Sequence, residues 1–196
     1  MGKKKLIIGG VILGVLVVGG TIFALNKGKS NKQEVTKVET SNKNNVISEQ
    51  NDENKGLSDE ELKKKYYLLE NSNISVKDRV EASEVARKFA KDITEFDIND
   101  PKKNEAEALS LVSTDIDKEV QGYFMTLGQS KEIKEKKITE ISSEEMSNWG
   151  KDKYVYVYVY VGYEIVDEND SKDTKGISYE IQLSKIDGKY KVTSYK

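Results

Sequence analysis

The sequence predicts an α+β domain carried behind an N-terminal transmembrane helix: three helices packed on a curved four-stranded antiparallel sheet, cone-like in outline. Three observations predict it. Leu6 to Leu25 runs without a charge, apolar residues from Val76 to Phe124 recur at spacings of three and four, and from Lys153 onward they alternate as in a strand.

The first 25 residues read as a basic tail and an anchor. Lys3, Lys4 and Lys5 precede LIIGGVILGVLVVGGTIFAL, in which Thr21 is the one polar side chain. At about 1.5 Å per residue this run spans the roughly 30 Å hydrocarbon core of a bilayer. A cleaved secretory signal begins in the same way, but Phe23-Ala24-Leu25-Asn26 offers no small-x-small site, so an uncleaved anchor is expected. Lys27, Lys29 and Lys32 nearly balance the three leading lysines. Loop charge therefore leaves the orientation open. A short basic tail ahead of a long polar body is the layout of a signal anchor with its C-terminus outside, so the body is expected to be extracytoplasmic. Gly10 and Gly14 form a GxxxG pair, a candidate contact between transmembrane helices.

Residues 26–56 are rich in Asn, Ser, Lys, Glu and Thr, with few apolar side chains to offset chain entropy. They read as a disordered linker with a reach on the order of 30 Å. The domain occupies 57–196. Ser58-Asp59-Glu60-Glu61 is a capping box opening a short lead-in helix with Leu62, Tyr66 and Leu69 on one side. Ser75 starts the main helix, whose positions Val76, Val80, Ala86, Phe89, Ala90, Ile93 and Phe96 form one apolar face. Asn99-Asp100-Pro101 breaks it, with Pro101 expected in the first turn of the next helix. Thr114 and Asp117 are expected to cap a third helix carrying Ile116, Val120 and Phe124, and Gly128 ends the helical part.

Strands follow. Lys131 to Ile141 is a weak strand, bent or at an edge. Lys153 to Val166 is the strongest, with Tyr154, Tyr156, Tyr158 and Tyr160 alternating with Val155, Val157, Val159 and Val161. Asp167 to Lys175 reads as a polar loop, Ile177 to Leu183 as a third strand, and Asp187-Gly188 as a tight turn into a last strand with Tyr190 and Val192.

Composition narrows the chemistry. The chain has neither cysteine nor histidine, which excludes disulfides, thiol nucleophiles, Ser-His pairs and His-based metal sites. Its 32 basic and 34 acidic side chains are interspersed, for a net charge of −2, so no nucleic-acid footprint is announced. Carboxylate pairs such as Glu144 with Glu145, Asp115 with Asp117 and Asp92 with Asp97 are expected on solvated surface or at helix caps. The loop carrying Asp167, Asn169, Asp170 and Asp173 lacks the sixth-position glycine and twelfth-position glutamate of an EF-hand and reads as a turn. No catalytic, cofactor or metal residues are expected, and no enzyme activity.

The notable feature is the Tyr/Val strand, since both of its faces need cover. With the valines on the core helix, Tyr154, Tyr156, Tyr158 and Tyr160 either line the outer sheet among their neighbours or form a partner or self-association face. A ligand-stacking platform is a third reading, and the two faces could be exchanged, with tyrosines filling the core.

From Glu84 to Val120 the chain reads EVARKFAKDITEFDINDPKKNEAEALSLVSTDIDKEV. The long helix ending in Phe96-Asp97, the Asn99-Asp100-Pro101 break and the Leu-Ser/Thr stretch into a capped helix resemble the conjugative-transfer branch of the nuclear-transport-factor-2-like cone fold. These are bitopic subunits of bacterial type IV secretion channels, including those of Gram-positive plasmids. The resemblance implies a scaffold that meets copies of itself and other channel subunits at the membrane, with no catalytic residues to carry over. Enzymes of this fold place His or acidic groups in the cone, and the missing histidine argues against that branch. The expected function is thus a membrane-anchored assembly subunit of a conjugative DNA-transfer channel. The alternatives are an envelope-anchored module sensing or holding a peptide or small ligand in the cone, and an enzyme working through carboxylates alone.

Overall fold

A computed structural model describes residues 53–147 and 153–196, all within the compact unit Asn45–Lys196. The predicted anchor Leu6 to Leu25, its Gly10 and Gly14, and nearly all of the predicted linker lie outside the described residues. Among those described, no helix is long and apolar enough to cross a membrane.

Helix α1 (Asp59–Tyr66) opens on the predicted capping box: the Glu61 amide donates to the Ser58 hydroxyl, and the Ser58 amide donates to the Glu61 carboxylate at 2.8 Å. Two orphan amides of the first turn are thereby satisfied. Helix α2 (Val76–Thr94) begins as read, with the Ser75 hydroxyl accepting from the Asp78 amide at 3.1 Å. It stops short of Phe96. Glu95 turns extended, and Phe96–Asp97 leaves as a two-residue strand, β1.

Pro101 does not start the next helix. It sits in a run of turns in which Lys103 donates to the Asp100 carbonyl and Glu105 to that of Lys102, and α3 (Glu105–Leu111) begins only afterwards. Nor does Thr114 cap α4 (Asp117–Thr126): the position before the helix is Ile116, and no side chain caps it.

The sheet has order β1-β2-β3-β4-β5, antiparallel throughout, with β2 at Ile133–Met146, β3 at Val155–Asp167, β4 at Lys172–Ile186 and β5 at Lys189–Tyr195. The described fold therefore has four helices and five strands where the sequence predicts three and four. The lead-in helix is a full packing element, and β1 is too short to show an alternating pattern. The polar loop after β3 shrinks to a tight turn, because the Asp167 carboxylate accepts from the amides of Asn169 and Ser171 at 2.8 and 2.9 Å. Asp187 and Gly188 both have positive φ, 50° and 78°, the pair required by a type I′ hairpin. Register shifts between Ile133 and Glu135, Ile138 and Glu140, and Gln182 and Leu183 bend the strands and curl the sheet.

The core lies between α2 and the concave face. Val155, Val157, Val159 and Val161 point inward and are paired with Leu183, Ile181, Tyr179 and Ile177 of β4. Ala82, Ala86, Phe89, Ala90 and Ile93 of α2 meet this row, with Ala108 of α3, Val120 and Phe124 of α4 and Val192 of β5 closing it. Alanines spaced by four residues share one helix face and leave room for close approach to the valines.

One buried polar contact pins the start of α2. Arg79 Nη1 donates to Glu145 Oε2 at 2.7 Å and to the Leu69 carbonyl at 2.8 Å, with both charged side chains almost fully enclosed. The same Glu145 oxygen accepts from the Leu69 amide at 2.9 Å, and the Glu145 amide donates to the Tyr67 carbonyl at 3.2 Å. The α1–α2 connection is thus clamped onto the end of β2. Removing one partner strands the other charge, which typically costs about 3–5 kcal/mol, whereas replacing both with apolar groups costs far less. Arg79→Met alone is expected to lower stability by about 3–5 kcal/mol, and Arg79→Met with Glu145→Leu to recover most of that loss. Urea-denaturation midpoints of the two variants provide the check, and equal losses would sink this account.

Candidate interaction face

Strand periodicity puts the even-numbered residues of β3 on the face away from α2. The valines, not the tyrosines, form the core row, so the exchanged arrangement left open by the sequence does not occur. Branched valines fill the shallow space over the alanines of α2, while outward tyrosines bury their rings against the sheet and keep their hydroxyls hydrated. Tyr154, Tyr156 and Tyr158 are half-buried. Across the ladder, Tyr156 pairs with Met146 and Gln182, and Tyr158 with Glu144 and Glu180. The rings of Tyr154 and Tyr156 meet edge-on at 6.3 Å, and Lys153 Nζ lies 5.5 Å from the Tyr154 ring centre.

Tyr160 has a different task. Its ring covers the backbone of Gly176, where an added Cβ would meet ring carbons at 2.6 and 2.7 Å. Gly176 stands opposite Gly162, so without Tyr160 two side-chain-free positions would lie bare in the middle of the sheet. Tyr160 thus covers the glycine pair of the sheet while remaining, at 37% exposure, the most open of the four tyrosines.

The outer face carries an open groove of about 270 Å³ lined by Tyr67, Ser142, Ser143, Glu144 and Tyr158. Sequence reasoning missed Tyr67. Helical periodicity marks Tyr66 as the inward member of the Tyr66-Tyr67 pair and is silent about its neighbour. Tyr67 ends α1 in the left-handed conformation, φ 50°, and its side chain is 68% exposed, unusually open for a large aromatic. Tyr66 turns inward, donating to Glu84 at 2.7 Å and accepting from Asn54 at 2.8 Å, and burial pushes its hydroxyl up to about 12.

The carboxylates expected on solvated surface divide unevenly. Glu144 stays exposed on the outer face, but Glu145 is buried on Arg79 and Asp92 is buried on α2, contrary to the sequence-based expectation. In both cases the parity of a strand or the face of a helix decided the matter, and neighbouring acidic residues on a strand must point to opposite sides. Among the described residues, no three or more acidic side chains are placed to hold a metal ion.

No family model matches the chain, and no curated protein matches it. Two solved structures are similar to it over part of its length. One is CagV, a VirB8 homolog of the T4SS from Helicobacter pylori strain 26695, at 9% identity over 58% of this chain and 92% of that one, with a TM-score of 0.42. The other is Aln2 from a Streptomyces species, at 11% identity over 62% of this chain and 90% of that one, with a TM-score of 0.41.

Asp92 adds a pH signature. Its Oδ2 has no hydrogen-bond partner, and the nearest cation, Lys88 Nζ at 3.7 Å, also serves Glu107 of α3. Burial pushes the carboxyl up to about 6; Lys88 and Lys91 oppose that rise, and Glu107 and Glu95 add to it. The folded chain holds this proton more tightly than the unfolded chain, so Asp92 costs stability as pH rises from about 4 through about 6. Asp92→Asn is expected to raise stability at pH 7.5 by about 1–2 kcal/mol and to leave it nearly unchanged at pH 4. Denaturation at the two pH values checks this, and a gain of equal size at both would contradict it.

Proposed function

We propose that this chain is a membrane-anchored assembly subunit of a bacterial conjugative type IV secretion channel, acting through protein–protein contacts. Its residues 57–196 stand outside the cytoplasm, tethered to a single-pass anchor at Leu6 to Leu25, and it joins other channel subunits and copies of itself without contacting DNA. The observation that carries the contact-making reading is the division of β3. Its valine row is consumed by the core, while half-buried Tyr154, Tyr156 and Tyr158 and exposed Tyr160 line the opposite face beside the groove at Tyr67. Tyrosine anchors of this kind dominate interface energetics because they bring large area with few rotatable bonds.

Beneath α2 the concave interior is filled by Phe89, Phe124, Val157, Val159 and Leu183, each at most 1% exposed, which leaves little room for a ligand between the helix and the valine row. A non-enzymatic role accords with the lack of His and Cys and with the separation of the two buried carboxyls, whose clamp and helix positions, Arg79 and Asp92, lie about 20 Å apart along α2. The assignment to a conjugative channel rests on the resemblance of Glu84 to Val120.

Deleting the gene is expected to abolish plasmid transfer, and the native chain to restore it and co-purify other transfer subunits. Tyr156→Ser with Tyr158→Ser, at unchanged cellular level, is expected to weaken capture of a partner by about thirtyfold or more, as loss of a hot spot worth about 2 kcal/mol would do. Normal transfer in the deletion strain would end the channel assignment, and full activity of the double variant would remove the tyrosine face from it. Protease added to intact protoplasts is expected to digest the domain; protection would reverse the proposed orientation.

A further inference from the structure

Where β1 meets β2, the fold makes a second recess, of about 220 Å³, away from the tyrosine face. Phe96, Leu127 and Ile133 form its apolar wall, and Ser130 and Glu132 stand at its exposed rim. Lys136 also lines it. In register Lys136 lies between Phe96 of β1 and Ile165 of β3, so its side chain emerges on the concave face among buried apolar neighbours.

A lysine on such a row ordinarily extends its stem to reach water or finds a carboxylate. Lys136 is half-buried with Nζ 5.7 Å from the centre of the Tyr163 ring. Burial holds its pKa below the ordinary lysine range, with no neighbouring carboxylate raising it. The other lysines on this part of the strand differ: Lys134 pairs with Asp170 at 2.7 Å, and Lys137 is exposed. Glu132, the acidic group at the recess, is fully on the exposed side and makes no ion pair with Lys136 within 4.0 Å among the described residues.

A desolvated ammonium without a counter-ion is unfavourable, and an incoming anion would relieve it. The volume falls below the roughly 300 Å³ at which drug-sized pockets begin, so the occupant is small.

We propose that this recess is a binding site for a small organic carboxylate, its apolar body against Phe96, Leu127 and Ile133 and its carboxylate paired with the Lys136 ammonium. The site is independent of the tyrosine face and of the channel assignment. The two regions lie about 20 Å apart along β2, from Lys136 to Ser142.

The probe is 4-fluorobenzoate, followed by fluorine NMR against the full chain in lipid nanodiscs, with empty nanodiscs subtracting partition into lipid. Saturable binding is expected, at least about tenfold tighter than that of the neutral isostere 4-fluorobenzamide, a difference matching the loss of one charged contact. Hexanoate is expected to compete. Lys136→Met, which keeps the stem's packing over Tyr163, is expected to weaken 4-fluorobenzoate binding at least about tenfold, and Lys137→Met to leave it unchanged. Equal affinity for acid and amide, unchanged binding by Lys136→Met, or no saturable binding of the acid would each overturn the proposal. The acid–amide comparison uses the unaltered chain, so the test stands even if the variant fails to fold.

Discussion

Everything in this fold depends on one contact surface, that of α2 with the valine row of β3. The four valines, each 1% exposed or less, and the alanines 82, 86 and 90, each fully enclosed, interlock where larger side chains would hold helix and sheet apart. Each buried valine contributes about 1.5–3 kcal/mol. With α2 in place, Val120 and Phe124 of α4 and Val192 of β5 have an apolar surface to close on. The same contact forces the tyrosines outward, because a strand offers only two faces.

A second constraint is polar. Arg79, Glu145, Leu69 and Tyr67 join three chain segments that no hydrophobic pattern brings together, and the clamp sets where α1 docks on the sheet. A small apolar cluster of Tyr66, Leu68 and Val80, with Leu62 and Val76 against it, packs the same α1–α2 segments together. Its energetic worth lies less in attraction than in the penalty for any other arrangement of the two charges once they are dehydrated. Tyr67, which lines the outer groove, is held by this clamp through its own carbonyl, so the candidate interaction face is built partly from the docking of α1.

Two surfaces remain outside the core and differ in chemistry. The tyrosine face is broad and interleaved with Glu144, Glu180 and Gln182, suited to a large polar partner. The recess at Lys136 is small, with an apolar wall, a half-buried lysine, and Ser130 and Glu132 on its exposed side.

Local rules were sufficient for the caps at Ser58 and Ser75, the Asp187-Gly188 turn, the alternation of β3 and the α+β class, because each depends on residues within a few positions of one another. Some departures are local, as at Pro101, Thr114 and the Asp167 turn, but those that shape the surface and the core involve longer range. Helical periodicity carries Phe96 into α2, but pairing with Lys136 draws it into the sheet. Glu145 and Asp92 look like surface acids until the strand's parity and the helix's inner face bury them. The sequence by itself determined that one row of β3 had to be core, since alternating Tyr and Val cannot both face one layer. Only the tertiary structure decided which row it was, because that choice depends on the depth left by Ala82, Ala86 and Ala90 on the opposing helix. The same is true of the carboxylates and lysines, whose character is set by the partners that packing brings within reach.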